Sequence, residues 1–378
     1  MPHLVAIDLP GGPAFVDALR REWDDGNAVL PVDRRLPAPA RAALLDALQP
    51  DRIVDEHGRR ELDGRGVQPG DALVMATSGS TGTPKGVVLT HDAVIASARA
   101  TSRHLGIGPD DTWLACLPLA HVGGLSVVTR ALVTGTPLVV HDGFDAERVQ
   151  QAARDGATAV SLVATALHRI DPSLFRVIVL GGARPPADRP AHCVTTYGLT
   201  ETGSGVVYDG RPLEGVEVRI AADGEVLLRG PMLLREYRDG STPLDADGWL
   251  HTGDLGQLLD DGRLHVEGRR GDMIVTGGEN VWPEAVEAVL QLHPAVAEVA
   301  VAGVPDPEWG QRVVAWVVPA VGAEAPSLPE LRAWVGARLA AFHAPKELHL
   351  VSTVPRTALG KVQRHVLQAS RNAATDHH

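Results

Sequence analysis

The sequence has few cysteines, no long apolar run and no block of basic residues, and each absence excludes a class of protein. Only Cys116 and Cys193 occur among 378 residues, with neither a CxxC pair nor Cys/His ligand spacing. Two buried free thiols are therefore expected, rather than cysteines with a redox or metal-binding role. The apolar runs end well before the ~20 residues that a membrane-spanning helix needs.

Charge and the N-terminal segment narrow the class further. The net charge is −12, and no cluster of lysine and arginine marks a nucleic-acid surface. The first residues lack the basic and apolar regions of a secretory signal. We therefore expect a cytoplasmic protein that acts on small molecules, without nucleic acid and without membrane insertion.

The length predicts two domains, because single cores rarely grow beyond about 250–300 residues. Between about 70 and 200, strand patterns alternate with helical ones such as 92–104 and 146–154, which indicates a parallel sheet covered by helices. Asp-Gly turns after Gly203 predict β-hairpins. We predict an α/β N-terminal domain with a β-rich subdomain (1–268) and a small mobile α+β C-terminal domain (269–378), with a hinge near 269–272. Before residue 70 only a helical pattern at 41–48 is expected.

A loop at residues 75–86 has the composition of a polyphosphate site. Glycines let the backbone approach a ligand closely, hydroxyl groups add hydrogen-bond donors, and Lys85 adds a positive charge. The spacing differs from that of Walker-type NTPases, because Pro84 and Gly86 flank the lysine. The candidate ligands in this loop are Thr77, Ser78, Gly79, Ser80, Thr81, Gly82, Thr83 and Lys85.

The order of residues in this loop resembles the phosphate-binding signature of the AMP-forming acyl-CoA synthetases, the acyl-adenylate-forming superfamily. Five further segments match that family in order. They are Tyr-Gly-Leu-Thr-Glu (197–201), Trp-Leu-His-Thr-Gly-Asp (249–254), Gly-Arg-Arg-Gly-Asp (268–272), Gly-Gly-Glu-Asn-Val-Trp-Pro-Glu (277–284) and Pro-Arg-Thr-Ala-Leu-Gly-Lys (355–361). The resemblance covers nearly the whole chain from about residue 70, and it implies the family's large body with a mobile C-terminal lid.

The resemblance implies a reaction in two halves, with ATP, Mg²⁺ and coenzyme A as co-substrates. A carboxylate attacks the α-phosphorus of ATP to give an acyl-AMP and pyrophosphate, and a thiol then attacks the activated carbonyl. Two anions must meet in the first half, so oriented cations and N–H donors are needed. Lys361 matches the family's catalytic lysine. Thr200 and Glu201 match residues that contact the α-phosphate and hold Mg²⁺.

The remaining nucleotide residues are also carried over by resemblance. Asp254 is suited to accept hydrogen bonds from ribose hydroxyls, and Arg269 to donate one. The hinge departs from the commonest family pattern, since Gly271 replaces an aspartate or lysine. The further candidates, around the base or along the pantetheine tunnel, are Gly181, Gly182, Ala183, Thr196, Tyr197, Gly198, Gly277 and Gly278.

The acyl group is the least determined feature. His121, in an apolar segment at 117–125, matches a position that faces the acyl carboxylate in the family. The short chain and the segments at 161–165, 268–272 and 277–281 look most like o-succinylbenzoate-CoA ligases of menaquinone biosynthesis. A second carboxylate on that substrate needs a cationic partner, and Arg169 is one candidate.

Two alternatives share these motifs. The chain could load another aryl or acyl acid onto CoA or a carrier-protein thiol, and it could be a non-catalytic nucleotide-binding remnant of a synthetase. Lys361, Glu201 and Asp254 are all present, which disfavours the remnant. Whether the protein is a homo-oligomer is left open by the sequence.

Overall fold

The computed structural model describes residues 1–78, 84–182, 189–356 and 362–375, without the side chains of Ser78 and residues 370–375. The chain divides into two compact units. The first contains Met1–Ala221, Leu227–Thr252 and Leu258–His265, and the second contains Ala222–Val226, Gly253–Gln257 and the chain from Val266 onward. The hinge at 269–272 stays a prediction.

The strands and helices carry the following bounds. The strands are β1 (Leu4–Ile7), β2 (Ala28–Pro31), β3 (Arg52–Asp55), β4 (Gly58–Glu61), β5 (Asp71–Ser78), β6 (Pro84–Thr90), β7 (Trp113–Ala115), β8 (Leu138–Val140), β9 (Ala159–Val163), β10 (Val177–Gly181), β11 (Cys193–Leu199), β12 (Ser204–Tyr208), β13 (Arg211–Pro212), β14 (Glu217–Ile220), β15 (Glu225–Arg229), β16 (Glu236–Tyr237), β17 (Leu250–Leu258), β18 (Leu264–Arg269), β19 (Ile274–Thr276), β20 (Glu279–Val281), β21 (Val296–Asp306), β22 (Gly310–Pro319) and β23 (Glu347–Leu350). The helices are α1 (Pro13–Asp24), α2 (Ala38–Leu48), α3 (His91–Leu105), α4 (Val122–Thr134), α5 (Ala146–Arg154), α6 (Ala164–Leu167), α7 (Pro283–Leu290), α8 (Leu328–Gly336) and α9 (Arg364–Thr375).

The first sheet begins almost at the N-terminus, in the order β16-β6-β5-β2-β1-β3-β4. Strand β1 pairs in parallel with β2 and β3, and β5 pairs antiparallel with β6. The expectation of only one helix before residue 70 is therefore wrong. Strands β1 and β2 are four residues long and buried on both faces, so they show no alternation that the sequence pattern could reveal.

The second sheet confirms the predicted parallel sheet of the α/β body. Its order is β13-β12-β11-β10-β9-β7-β8, and β7 to β11 pair in parallel while β12 and β13 run antiparallel. Strands β9 and β10 are almost wholly buried, with helix α5 packed beside them through Val149 and Ala152. Apolar runs of this kind are typical of a sheet covered on both faces.

Helix α3 starts with a side-chain cap, and the end of helix α8 does not follow the sequence pattern. Thr90 caps α3 by accepting a hydrogen bond from Ala93 N at 3.2 Å. Helix α8 ends at Gly336, although the apolar pattern predicts it to 341. The chain leaves the helix so that Leu339 and Phe342 can pack on the core of the second unit. Tertiary packing therefore overrides the local periodicity there.

The hairpins predicted after Gly203 are present. The third sheet has the order β14-β15-β17-β18. Gly224 and Gly262 have φ values of 84° and 78° in the turns, a left-handed conformation that favours glycine.

The second unit is a small α+β body with its own core. Strand β22 pairs antiparallel with β19 and β21 and parallel with β23, and β20 extends the sheet beyond β19. Helices α7 and α8 cover one part of this core, and Leu367 of α9 belongs to another. Among the described residues, none of the helices combines the length and the apolar composition that a membrane-spanning segment requires.

Arg364 ties three carboxylates of the second unit together. Its guanidinium lies 2.9 Å from Glu284 and from Glu287 and 3.4 Å from Asp272, and its Nε donates to Val301 O at 2.9 Å. Burial raises the pKa of Glu287, and the Arg364 charge opposes this rise. Removing the cation would leave a buried carboxylate without its charged partner, which is costly.

We expect Arg364→Ala to lower the unfolding free energy of the second unit by about 3 kcal/mol at neutral pH. Without the cation the pKa of Glu287 rises further, so the loss shrinks as the pH falls and Glu287 takes up a proton. Amide hydrogen exchange of β21 and β22 as a function of pH measures both effects. Arg338→Ala is the control, because Arg338 covers the Trp334 ring at the surface of this unit. This explanation would be contradicted if both variants lost the same unfolding free energy, or if the loss in Arg364→Ala did not depend on pH.

Candidate functional site

The carboxyl ends of β9, β10 and β11 bring predicted nucleotide residues together. Gly181 ends β10 beside Val163 of β9, and a Cβ at Gly181 would lie 3.3 Å from Thr196 of β11. Gly182 follows with φ 82°. In open α/β sheets, ligands bind at this edge. Ala183 lies outside the described residues.

Thr200 and Glu201 lie in a single turn of 3₁₀ helix, Thr200–Thr202, directly after β11. Thr202 is fully buried and fixes this turn, since its hydroxyl accepts from Leu199 N at 2.9 Å and donates to Ser204 O at 2.6 Å. Thr202 was not among the residues predicted from the sequence. Its signal is a threonine directly after the Thr-Glu pair, a residue type that satisfies turn backbone groups.

Tyr237 connects two of the predicted ligands. Its hydroxyl donates to Glu201 Oε1 at 2.9 Å, and Lys85 Nζ lies 4.7 Å from its ring centroid. The described ends of the predicted phosphate loop lie in the β5–β6 hairpin, in which Thr77 is paired with Lys85. Residues 79–83 lie outside the described part of the chain. Tyr237 was not predicted, because it enters the site through pairing of the distant strand β16 with β6.

His121 precedes α4 and contacts a charged pair from the segment after β2. Asp33 and Arg35 form a forked ion pair with distances of 2.8 and 2.7 Å, and Arg35 Nη2 lies 2.9 Å from His121 Nε2. Asp33 Oδ2 is 3.2 Å from the same ring nitrogen. Burial acts to raise the pKa of Asp33, but the hydrogen bonds from Arg35 outweigh it and the pKa is lowered. Asp33 is therefore anionic at neutral pH.

Arg130 is a buried cation in α4. Its Nη2 donates to Ser126 Oγ at 3.1 Å and also bonds Ser204 Oγ, and its guanidinium lies 5.4 Å from the Trp113 ring. Within the described residues, its Nε and Nη1 have no hydrogen-bond partner. Burial lowers the pKa of Arg130. Arg169, by contrast, is exposed and lies 5.1 Å from the Phe144 ring.

Asp254, Arg269, Gly277 and Gly278 belong to the second unit. Asp254 Oδ1 and Arg269 Nε form an ion pair at 2.9 Å. Gly277 and Gly278 form the β19–β20 turn with φ values of 62° and 84°, and a Cβ at Gly277 would lie 2.8 Å from the Trp309 ring. Lys361 lies outside the described residues.

Cysteine chemistry and a preformed metal cluster find no support in the described residues. Cys116 and Cys193 are buried, and burial raises the pKa of the Cys116 thiol to about 12. No group of three His, Cys, Asp or Glu side chains there could hold a metal ion. A single carboxylate such as Glu201 suits Mg²⁺ that arrives with ATP, since Mg²⁺ takes one or two carboxylates plus substrate phosphates.

Known proteins resemble this chain in sequence and fold. Residues 36–238 match the model of the AMP-binding enzymes, and residues 285–361 match that of the AMP-binding enzyme C-terminal domain. A Mycobacterium tuberculosis protein named "Probable 2-succinylbenzoate–CoA ligase" is 42% identical over 321 residues, which cover 78% of this chain and 83% of that protein. A Listeria monocytogenes 2-succinylbenzoate–CoA ligase is 36% identical over 327 residues, covering 79% of this chain and 69% of its own.

Solved structures agree with these relatives. The o-succinylbenzoate CoA synthetase of Bacillus subtilis, in complex with the acyl-adenylate OSB-AMP, matches with a TM-score of 0.87 at 29% identity, covering 97% of this chain and 88% of that one. The same enzyme in complex with ATP and a magnesium ion matches with a TM-score of 0.84 at the same identity, covering 97% of this chain and 89% of that one.

Two glycines allow the strands beside the predicted site to approach closely. Strand β11 has an irregular register between Tyr197 and Gly198. A Cβ at Gly198 would overlap Ser204 O, and a Cβ at Gly205 would overlap Thr196 Oγ1. The Thr196 hydroxyl is buried and has no partner among the described residues.

We expect Gly205→Ala to lower the unfolding free energy by about 1–3 kcal/mol, because the added methyl group overpacks this contact. Thr196→Ala removes the obstructing hydroxyl, so the loss should be smaller in that background. Thermal unfolding of the wild type, the two single variants and the double variant measures the coupling between the two positions. Gly123→Ala is the control, since a Cβ there would meet only Leu117 Cδ1 at 3.7 Å. Additive losses in the cycle would show that Thr196 is not the obstacle.

Proposed function

This chain is a member of the AMP-binding enzyme family, and we propose from that membership that it converts o-succinylbenzoate to o-succinylbenzoyl-CoA. The observation that carries the substrate is the 42% identity, over most of both chains, to the mycobacterial protein bearing that ligase name. An acid oxygen attacks the α-phosphorus, the bond to the bridging oxygen breaks and pyrophosphate leaves. The CoA sulfur then attacks the acyl carbon, loses its proton and displaces AMP.

The first half-reaction needs cations around the phosphates of ATP, and we assign this role to residues of the chain. Thr77 and Lys85 are proposed to hold the β- and γ-phosphates of ATP, and Lys361 to bridge the acid and the α-phosphate as their charges converge. Glu201 would hold Mg²⁺, which neutralises phosphate charge when bound. The contact of Glu201 with Tyr237 and the carboxyl-end position of the turn that carries it support this assignment.

The acyl carboxylate is proposed to lie at His121. The forked pair of Asp33 with Arg35 supports this, because both groups contact the Nε2 atom and restrict the ring. The ring orientation is then set before the acid binds. Preorganised polar groups of this kind lose little entropy when the substrate arrives.

The second carboxylate of o-succinylbenzoate needs a cation, and two arginines are candidates. Arg169 was predicted from sequence, but it is exposed and already covers an aromatic ring. Arg130 is buried and has donors without partners among the described residues. A buried carboxylate would use such donors best, since a cation in apolar surroundings is stabilised most by an opposite charge. We therefore favour Arg130.

Loading of a carrier protein is the remaining alternative for the second half-reaction. It uses the same adenylation chemistry and differs only in the thiol. A non-catalytic remnant is disfavoured by family membership along both units and by the presence of Lys85, Glu201 and Asp254.

A panel of carboxylic acids tests the proposal directly. We expect pyrophosphate release that depends on o-succinylbenzoate, followed by the CoA thioester when free CoA is added. Lys361→Ala should lower adenylation by at least about 100-fold, as expected for loss of a group acting on transition-state charge. Offering a carrier-protein thiol in place of CoA distinguishes a CoA ligase from an enzyme that loads a carrier protein. The proposal would be refuted if the protein released no pyrophosphate with any of the acids.

A substrate without the ring carboxylate, 4-oxo-4-phenylbutyrate, tests the arginine. We expect the wild type to prefer o-succinylbenzoate by about 100-fold or more in kcat/KM, because a site built for a polar group strongly rejects its absence. Arg130→Met should abolish this preference while keeping turnover of 4-oxo-4-phenylbutyrate. Arg169→Ala is the matched control and should leave the preference intact. If Arg169→Ala abolished the preference and Arg130→Met kept it, Arg169 would be the residue that binds the second carboxylate.

A further inference from the structure

Tyr237 separates two side chains of opposite charge in the first unit. The Lys85 ammonium lies over one face of its ring, 4.7 Å from the centroid, and its hydroxyl donates to Glu201 Oε1 at 2.9 Å. A cation over a ring face is attracted by the ring quadrupole, and a carboxylate is stabilised by a phenol donor. Lys85 and Glu201 therefore both contact Tyr237, which is a neutral side chain.

The backbone holds Tyr237 in this position from both sides. Strand β16 pairs with β6, with Tyr237 opposite Val87, so the ring is fixed to the strand that carries Lys85. Leu234 N donates to Glu201 O at 2.7 Å, which fixes the same segment to the turn that carries Glu201. The next residue, Arg238, donates to Gly66 O at 2.7 Å and Leu48 O at 3.1 Å.

We propose that Tyr237 is a positioning residue that keeps Lys85 and Glu201 from forming a direct ion pair, so that both stay ready for ATP and Mg²⁺. This rests on the proposed function, which assigns the lysine to phosphate and the glutamate to the metal. Without the ring, the flexible lysine can reach the carboxylate. The pair must then break before the nucleotide binds, and this weakens binding.

The ring and the hydroxyl make separable contributions. Tyr237→Phe keeps the ring between the charges and loses only the donor to Glu201. Tyr237→Leu loses both. The charge of Lys85 acts on the Asp239 carboxylate, which its own turn holds through Ser241 N at 2.9 Å and Ser241 Oγ at 2.6 Å. Asp239→Asn therefore serves as the matched control for Glu201→Gln.

ATP binding to the full chain in EDTA, measured by calorimetry, tests the proposal without magnesium or turnover. Tyr237→Leu should weaken binding about fivefold, the value of one partly exposed ion pair. Tyr237→Phe should bind like the wild type. Adding Glu201→Gln to Tyr237→Leu should restore the affinity, and adding Asp239→Asn should not. Higher salt should narrow the gap between Tyr237→Leu and wild type.

Lysine NMR gives a readout that does not need ATP. The sequence holds only three lysines, so ¹³C-methylation yields few signals and Lys85→Arg assigns the one from Lys85. In the wild type, Glu201→Gln should hardly move this signal. In the Tyr237→Leu background it should move clearly, because the new ion pair is lost.

Three results would overturn the proposal. They are a loss of ATP affinity in Tyr237→Leu that persists with Glu201→Gln, a restoration by Asp239→Asn, and a Lys85 signal that ignores Glu201 in every background. Tyr237→Met, of similar length but without a ring, replaces Tyr237→Leu should that variant not fold. If the wild type binds ATP but makes no acyl-CoA, the proposed function fails while the charge separation is still measured.

Discussion

Adenylation joins two anions, so the cations that promote it must be available when the substrates arrive. This is demanding in a chain with 47 acidic residues and a net charge of −12. A lysine on such a surface is easily neutralised by a neighbouring carboxylate. Two of the three lysines lie in the part of the chain that the structure describes, and there no ion pair involves either. Lys85 lies over the Tyr237 ring and Lys346 lies 3.2 Å from the Trp309 ring centroid.

Arginine takes the structural ion pairs instead. Arg235 binds both oxygens of the buried Asp71, and Arg35 binds those of Asp33. A planar guanidinium matches a carboxylate through two hydrogen bonds, which an ammonium group cannot do. Lys85, a compact and mobile charge, is thereby kept out of the structural ion pairs at a position where phosphate is expected.

The sequence predicts the motif positions well, because each motif lies at a strand end or a tight turn with a distinct composition. Thr77 and Lys85 lie on one hairpin, and Thr200 and Glu201 lie in the turn after β11. What the sequence does not reveal depends on distant pairing. Tyr237 lies over 150 residues from Lys85 along the chain and reaches it only through the β16–β6 pair.

The N-terminal region illustrates the same limit. Strands β1 and β2 are four residues long and lack alternation, so no pattern marks them, although they form the middle of the first sheet. The segment after β2 contains Asp33 and Arg35, which contact His121, and no sequence motif predicts this contact. Short buried strands are recognised only by their neighbours in the sheet.

The pairing of Asp254 with Arg269 adds a constraint on how a nucleotide could be held. Both residues were predicted to bind ribose, and both belong to the second unit, joined at 2.9 Å. The arginine holds one oxygen of the Asp254 carboxylate and thereby orients the group. Because the ion pair lies within one body, a rearrangement between the units would keep these two side chains together. A ribose bound by one of them would therefore stay within reach of the other.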